Sequence, residues 1–257
     1  MKKIIAKVVS VALIASMAFA FAGCGKKKLN TEGKLIMATN AEFEPYEFKD
    51  GNAIVGIDAE IAAALADKLG LELVIEDVAF DSIITGVQSG KYDMGMAGMT
   101  VTESRKKSVS FTDTYATGVQ VIIVPEGSDI TDADILCSGD YKVGVQQGTT
   151  GDIYMSDTPE NGGVGEDMVT RYKSGNEAVL DLQKGGVDAV VIDNEPAKAL
   201  VAANEGLKIL ETPFTEEDYA ICVRLDNEEL RDEINQALKE LKEDGTIDAI
   251  VAKYIHA

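Results

Sequence analysis

The sequence predicts an α/β protein made of two successive α/β units. Three observations predict it. From Lys34 onward, strand-like apolar runs alternate with amphipathic runs of helical spacing. The links between them are short. The alternation pauses after residue 97 and starts again beyond a second unit's beginning near residue 120. An order of β-α-β-α-β with short connections is the signature of a parallel sheet covered by helices.

In the first unit, Leu35 to Thr39 reads as a strand. Residues 56–70 (GIDAEIAAALADKLG) place Ile57, Ile61, Leu65 and Leu69 at helical spacing, with Asp58 able to cap the start and Gly70 the end. Leu71 to Ile75 reads as a strand, Asp81 to Ser89 as a helix ending at Gly90, and Asp93 to Ala97 as a strand. In the second unit, Lys142 to Val145 is a strand and the turn Gly148-Thr149-Thr150 opens a helix. Met168 to Tyr172 is strand-like, Asn176 caps a helix running to Lys184, Asp188 to Ile192 is a strand, and Glu195 to Ala203 is helical. The chain closes with a strand at Tyr219 to Arg224, a charged helix from Asn227 to Asp244 stopped by Gly245, and a short helix from about Thr246 to Tyr254. No short-period repeat is present, which excludes a solenoid.

The 257 residues are 46% hydrophobic and 26% charged, which excludes disorder and low-complexity classes. Acids outnumber bases 44 to 24, a formal charge of −20 that disfavours nucleic-acid phosphates and anionic lipid headgroups as partners. Three cysteines, Cys24, Cys137 and Cys222, are too few for a disulfide framework, and Cys137 and Cys222 read as buried free thiols. The single histidine, His256, stands next to the last residue, which removes most histidine-dependent catalysis and zinc binding.

Residues 1–23 read as a signal peptide. Lys2, Lys3 and Lys7 precede a 15-residue apolar run, Val8 to Ala22, too short for a comfortable membrane span of roughly 20 residues. The exit Ala22-Gly23-Cys24 resembles the lipobox of bacterial lipoproteins, in which the cysteine is diacylated and the peptide cleaved just before it. Cys24 is thus the expected lipidation site and residues 24–32 a tether. Cleavage removes three lysines and no acid, leaving the mature chain still more acidic.

Motifs of known catalytic chemistry are missing. The chain has no Gly-x-x-x-x-Gly-Lys-Ser/Thr loop, Gly-x-Ser-x-Gly elbow, Cys-x-x-Cys or His-Glu-x-x-His. Ser104-Arg105-Lys106-Lys107 fits Ser-x-x-Lys, but no Lys-Thr-Gly follows it. Four segments stand out instead: NAEFEPYEF (40–48), VAFDSI (78–83), AGMTVTESR (97–105), which reads as a loop running into a helix, and GTTG (148–151) joined by IDN (192–194). Each occupies a strand-end position, where open α/β sheets bind ligands.

These segments resemble the polar amino-acid-binding proteins of ABC importers, solute-binding protein family 3. The likeness runs from about Gly33 to Tyr254 and rests on Gly56-Ile57-Asp58-Ala59-Glu60-Ile61, on AGMTVTESR and on Phe111-Thr112-Asp113-Thr114-Tyr115. It implies a two-lobed, periplasmic-binding-protein-like α/β fold, with hinge strands near residues 116–122 and 211–218. Lobe 1 would take residues 33–118 plus 216–257, and lobe 2 residues 119–215. It also implies a monomer with no cofactor and no metal. That monomer would stay outside the cytoplasm, held to the cell membrane by lipid, and deliver a polar L-amino acid to a permease and its ATPase.

A free amino acid carries a carboxylate and an ammonium on one carbon, and a bidentate guanidinium suits the carboxylate best. Arg105 matches the family's carboxylate-binding arginine, Gly98 and Thr100 its backbone and hydroxyl contributors, and Asp193 its ammonium-binding aspartate. Thr150 would add a donor from the second lobe. Phe43 and Phe80 match the walls around the ligand side chain, while Met96 and Met99 read as packing. Asn40 and Gln146 match the side-chain selectors. As neutral amides they favour a neutral polar ligand such as glutamine, with Glu42 and Glu44 leaving arginine or lysine open. Two alternatives share the fold: a ligand-sensing module, which would continue into a membrane helix, and a cleft enzyme of the dehydratase type, which would need an acid–base residue in the cleft.

Overall fold

The computed structural model describes residues 29–210 and 214–255. The predicted signal peptide, Cys24 and the first half of the tether lie outside the described residues, as does His256.

The first unit comprises β1 (Lys34–Thr39), β2 (Glu42–Phe43), β3 (Glu47–Asp50), β4 (Ala53–Val55), α1 (Ile57–Leu69), β5 (Glu72–Asp77), α2 (Phe80–Gln88) and β6 (Met94–Gly95). β7 (Val109–Pro125) leads to α3 (Ala133–Ser138), β8 (Val143–Gln146), α4 (Thr150–Ser156), β9 (Val169–Tyr172), α5 (Gly175–Gln183), β10 (Ala189–Asp193), α6 (Asn194–Ala203) and β11 (Leu207–Ile209). β12 (Thr215–Arg224), α7 (Glu228–Glu243) and α8 (Thr246–Tyr254) complete the chain.

One sheet runs through the molecule in the order β5-β1-β6-β12-β7-β10-β8-β9, with β11 also on β7. β1 pairs parallel with β5 and β6, and β8 parallel with β9 and β10, as the alternating pattern predicts. The two parallel halves are joined through an antiparallel pair, β7 against β12, running from Thr215 opposite Gln120 to Arg224 opposite Val109; β12 also pairs antiparallel with β6, and β7 with β10. β7 and β12 are the two hinge strands. β7 is longer than the stretch read from sequence.

Strand alternation explains how β7 serves the second lobe. Val121 and Ile123 enter one core with Val179, Leu182 and Val190, while Ile122 and Val124 enter another with Leu136, Val143 and Val191. The first lobe has its own cores, around Leu35, Ile57, Ile61 and Leu65 and around Ile83, Val87 and Met99. α7 belongs to the first of these: Leu230, Ile234, Leu238 and Leu241 follow helical spacing and are buried there, returning the chain's end to its beginning.

Local expectations needed four corrections. Asp58 does not cap α1; its side chain is buried elsewhere, and Gly56 occupies the cap position without a side-chain bond. Ser174, not Asn176, caps α5 by accepting from Glu177 N. AGMTVTESR runs into a single 3₁₀ turn, Arg105–Lys107, rather than a helix. Cys137 is only half-buried, its thiol facing the Gly162 carbonyl at 3.0 Å, whereas Cys222 is fully buried and its thiol is pushed up to about 12 by burial.

Candidate functional site

The carboxyl ends of the parallel strands converge on one cleft. β1 delivers Asn40, β6 leads into Ala97, Gly98 and Thr100, β8 ends at Gln146, and β10 ends at Asp193. All nine residues predicted to bind the ligand line it: Asn40, Phe43, Phe80, Gly98, Thr100, Arg105, Gln146, Thr150 and Asp193. Glu47, Ala97 and Thr149 complete the lining.

Arg105 is 6% exposed although it sits in a short turn. Thr102 Oγ1 accepts its backbone N–H at 3.1 Å, which fixes the turn. Its Nη1 donates to the Thr100 carbonyl at 2.7 Å and its Nη2 to the Gly148 carbonyl at 3.0 Å, so the guanidinium ties the two lobes. The guanidinium carbon lies 5.4 Å from the centre of the Phe80 ring, in cation–π range. Gly98 has φ +51, and a Cβ there would meet Phe43 Cε1 at 2.8 Å; glycine alone fits this bend under the aromatic wall.

Asp193 lies across the cleft from Arg105, 7% exposed. It accepts the Tyr219 hydroxyl on Oδ1 and Gln120 Nε2 on Oδ2. Gly118 makes room for that approach, since a methyl group there would overlap the Tyr219 hydroxyl. Burial pushes the Asp193 carboxyl up to about 8, with the nearby Glu217 charge adding to the effect and the Tyr219 and Gln120 hydrogen bonds opposing it.

The two amides face each other. Gln146 Nε2 donates to Asn40 Oδ1 at 2.8 Å and to the Lys173 carbonyl at 3.0 Å, and Asn40 Nδ2 donates to the Val78 carbonyl at 2.9 Å. Both Gln146 hydrogens and one of the two on Asn40 are therefore committed to protein acceptors. Thr150 is the first residue of α4, and Thr149 caps the helix by accepting from Asp152 N. The Thr150 hydroxyl donates to Glu217 at 2.9 Å, so the donor expected from it toward a ligand is turned into the protein.

Sequence reasoning missed five contributors. Glu47, on β3, lines the cleft fully buried, accepts from no N–H or hydroxyl, and gives its own carboxyl proton to Asp58. Burial, followed by the adjacent Asp58, pushes its carboxyl well above the usual range. Asp58 lies behind it and accepts Gly98 N at 2.9 Å and the Tyr115 hydroxyl at 2.8 Å, which positions the glycine of the cleft loop; burial pushes its carboxyl up to about 6. Gln120, Glu217 and Tyr219 come from the two hinge strands. The alternation of β12 carried a signal, because Glu217 and Tyr219 share the inward face while Glu216 and Asp218 are exposed. The lining thus holds one cation, Arg105, against Glu47 and Asp193, with Asp58 and Glu217 immediately behind.

The profile of the bacterial extracellular solute-binding proteins, family 3, matches residues 35–257. The arginine-binding extracellular protein ArtP of Bacillus subtilis (strain 168) is 34% identical over 247 residues, covering 93% of this chain and 94% of its own. An ancestral arginine-binding protein bound to arginine superposes with a TM-score of 0.80 at 43% identity, over 87% of this chain and 98% of its own. The structure of an ancestral arginine-binding protein bound to glutamine gives 0.81 at 42% identity, over 88% and 100%. A family match that spans nearly all the described residues, on a two-lobed sheet whose strand ends meet at one cleft, makes this chain a member of the bacterial extracellular solute-binding proteins, family 3.

Proposed function

We propose that this chain is the substrate receptor of an amino-acid importer and that its ligand is a cationic L-amino acid, arginine first. The observation that carries the reading is the acidic excess of the cleft, above all Glu47, buried and hydrogen-bonded to the carboxyl of Asp58 rather than to a cation. A carboxyl in that position favours a partner with positive charge and several N–H donors, and a guanidinium has five. The names of the arginine-binding relatives agree with it. A neutral amide ligand would look to Asn40 and Gln146 for hydrogens, and three of their four are already bonded to protein oxygens.

In this reading, Arg105 takes the ligand carboxylate and Asp193 its ammonium. The first follows β6 in lobe 1 (residues 33–118 plus 216–257) and the second ends β10 in lobe 2 (residues 119–215). A zwitterion joins the two, a contact available only when the lobes are closed, so the ligand selects the closed state. The protein binds without chemistry, as a monomer, and hands its ligand to a membrane permease and its ATPase. Cys24 carries the lipid that keeps it at the membrane; membrane fractions that retain a Cys24→Ser chain unchanged would remove that part of the account.

A thermal-shift screen of the mature chain against the twenty amino acids tests the ligand. Arginine is expected to give the largest shift, about 2.7 kcal/mol of added stability at a hundredfold excess over Kd. A larger shift with glutamine, or none with any amino acid, overturns the assignment.

A further inference from the structure

We propose that Glu217 is a positioning residue that makes the ammonium end of the cleft a set of pure acceptors, and so distinguishes an α-ammonium from an α-hydroxyl. This rests on the amino-acid reading above and extends it to a residue outside the lining.

Glu217 lies on hinge strand β12, 5% exposed. Its Oε2 receives Thr100 Oγ1 at 2.8 Å from the first lobe, Thr150 Oγ1 at 2.9 Å from the second, and Gln120 Nε2 at 3.1 Å from the other hinge strand. A carboxylate only accepts, and a hydroxyl has one hydrogen to give. Both threonines therefore direct their only hydrogen at Glu217. What they present to the cleft they line is lone pairs. Gln120 Nε2 also donates to Asp193 Oδ2 and stands 3.4 Å from Thr150 Oγ1, so one amide links Asp193 to Glu217 and holds their spacing.

The result is an end of the cleft with three acceptors facing the donor end at Arg105: the two hydroxyl oxygens, and Asp193 once a bound ammonium holds it ionised. An ammonium has three N–H groups to match them. An α-hydroxyl has one and no charge to hold Asp193 ionised, so it leaves at least one buried hydroxyl oxygen without a donor, a costly arrangement. If Glu217 were an amide, either threonine could rotate and donate into the cleft, and the penalty against a hydroxyl would fall. The hinge location matters for a second reason. Thr100 and Thr150 come from different lobes, and Glu217 is the single oxygen on which their orientations meet.

The test is calorimetric titration of the wild type, Glu217→Gln and Glu217→Asp with L-arginine and with its α-hydroxy analogue, 2-hydroxy-5-guanidinopentanoate. The wild type is expected to prefer arginine strongly. In Glu217→Gln, arginine affinity falls on the order of 10- to 100-fold while the analogue changes little, so the preference collapses. In Glu217→Asp, which still only accepts, affinity falls but the preference persists. A role in stability alone would weaken both ligands together and leave the ratio unchanged, and that result overturns the proposal. If Glu217→Gln does not fold, loss of the preference in Glu217→Asp overturns it equally. Failure of the wild type to bind arginine removes the arginine assignment above, and with it this proposal; arginine binding with an unmoved ratio removes this proposal alone.

Discussion

Arg105→Ala is expected to abolish useful binding of every amino acid while the chain still folds. Truncating one partner of a buried, hydrogen-bonded charge pair costs roughly 2–5 kcal/mol or more, which is on the order of 30- to several-thousand-fold in Kd. Two effects act together. The ligand carboxylate loses its guanidinium, and the carbonyls of Thr100 and Gly148 lose the donor that ties the lobes. Arg105→Lys should recover only part, because one ammonium lacks the fork that meets a carboxylate with two parallel bonds. Lys106 is the control: it is exposed and paired with Glu103, so alanine there should cost under about 0.5 kcal/mol. Titration of the three variants decides the matter. Equal losses in Arg105→Ala and Lys106→Ala would mean diffuse electrostatics rather than a clamp.

Asp193→Asn should have the second-largest effect, and in two opposite directions. Binding should weaken by about 30-fold or more, since the ammonium loses its anion. Stability without ligand should change the other way with pH. Asp193 has its carboxyl pushed up to about 8 in the folded chain, against roughly 3.9 when unfolded. Between these values the folded chain binds more protons than the unfolded one, so stability falls as pH rises through that window. Asp58 and Glu47 are shifted in the same direction, so the difference between wild type and variant is the quantity to read. Scanning calorimetry from pH 5 to pH 8 should show the wild type losing stability relative to Asp193→Asn as pH increases. Parallel profiles would show that the burial of Asp193 carries no such cost.

The nine predicted residues came from the resemblance, carried by segments that the local pattern places after strands. Asn40 follows β1, Gln146 ends β8 and Asp193 ends β10, and the parallel order brings such ends together wherever they occur in the chain. What the sequence missed depends on register. Glu217 reaches Thr100 and Thr150 only because β12 pairs antiparallel with β7, with shifts around Ala220, and no local pattern specifies that alignment. Asp58 shows tertiary structure overriding local preference. An acid in the first turn of a helix reads as a cap, yet it is enclosed beneath the cleft loop and holds Gly98 N instead. Glu47 lay inside a segment already marked for function, but the exposed Glu42 and Glu44 drew attention as the acids available to a ligand. The short strands β2 to β4 turn Glu47 inward, and that moves the expectation from a neutral ligand to a cationic one.

The most direct test of the central claim is a structure of the mature chain crystallised with arginine. The account predicts the ligand carboxylate on the Arg105 guanidinium, the ammonium among Asp193, Thr100 and Thr150, and the ligand guanidinium against Glu47. Arginine bound in the reverse sense, with its guanidinium on Asp193 and its carboxylate away from Arg105, would contradict it, as would a cleft without arginine at saturating concentration.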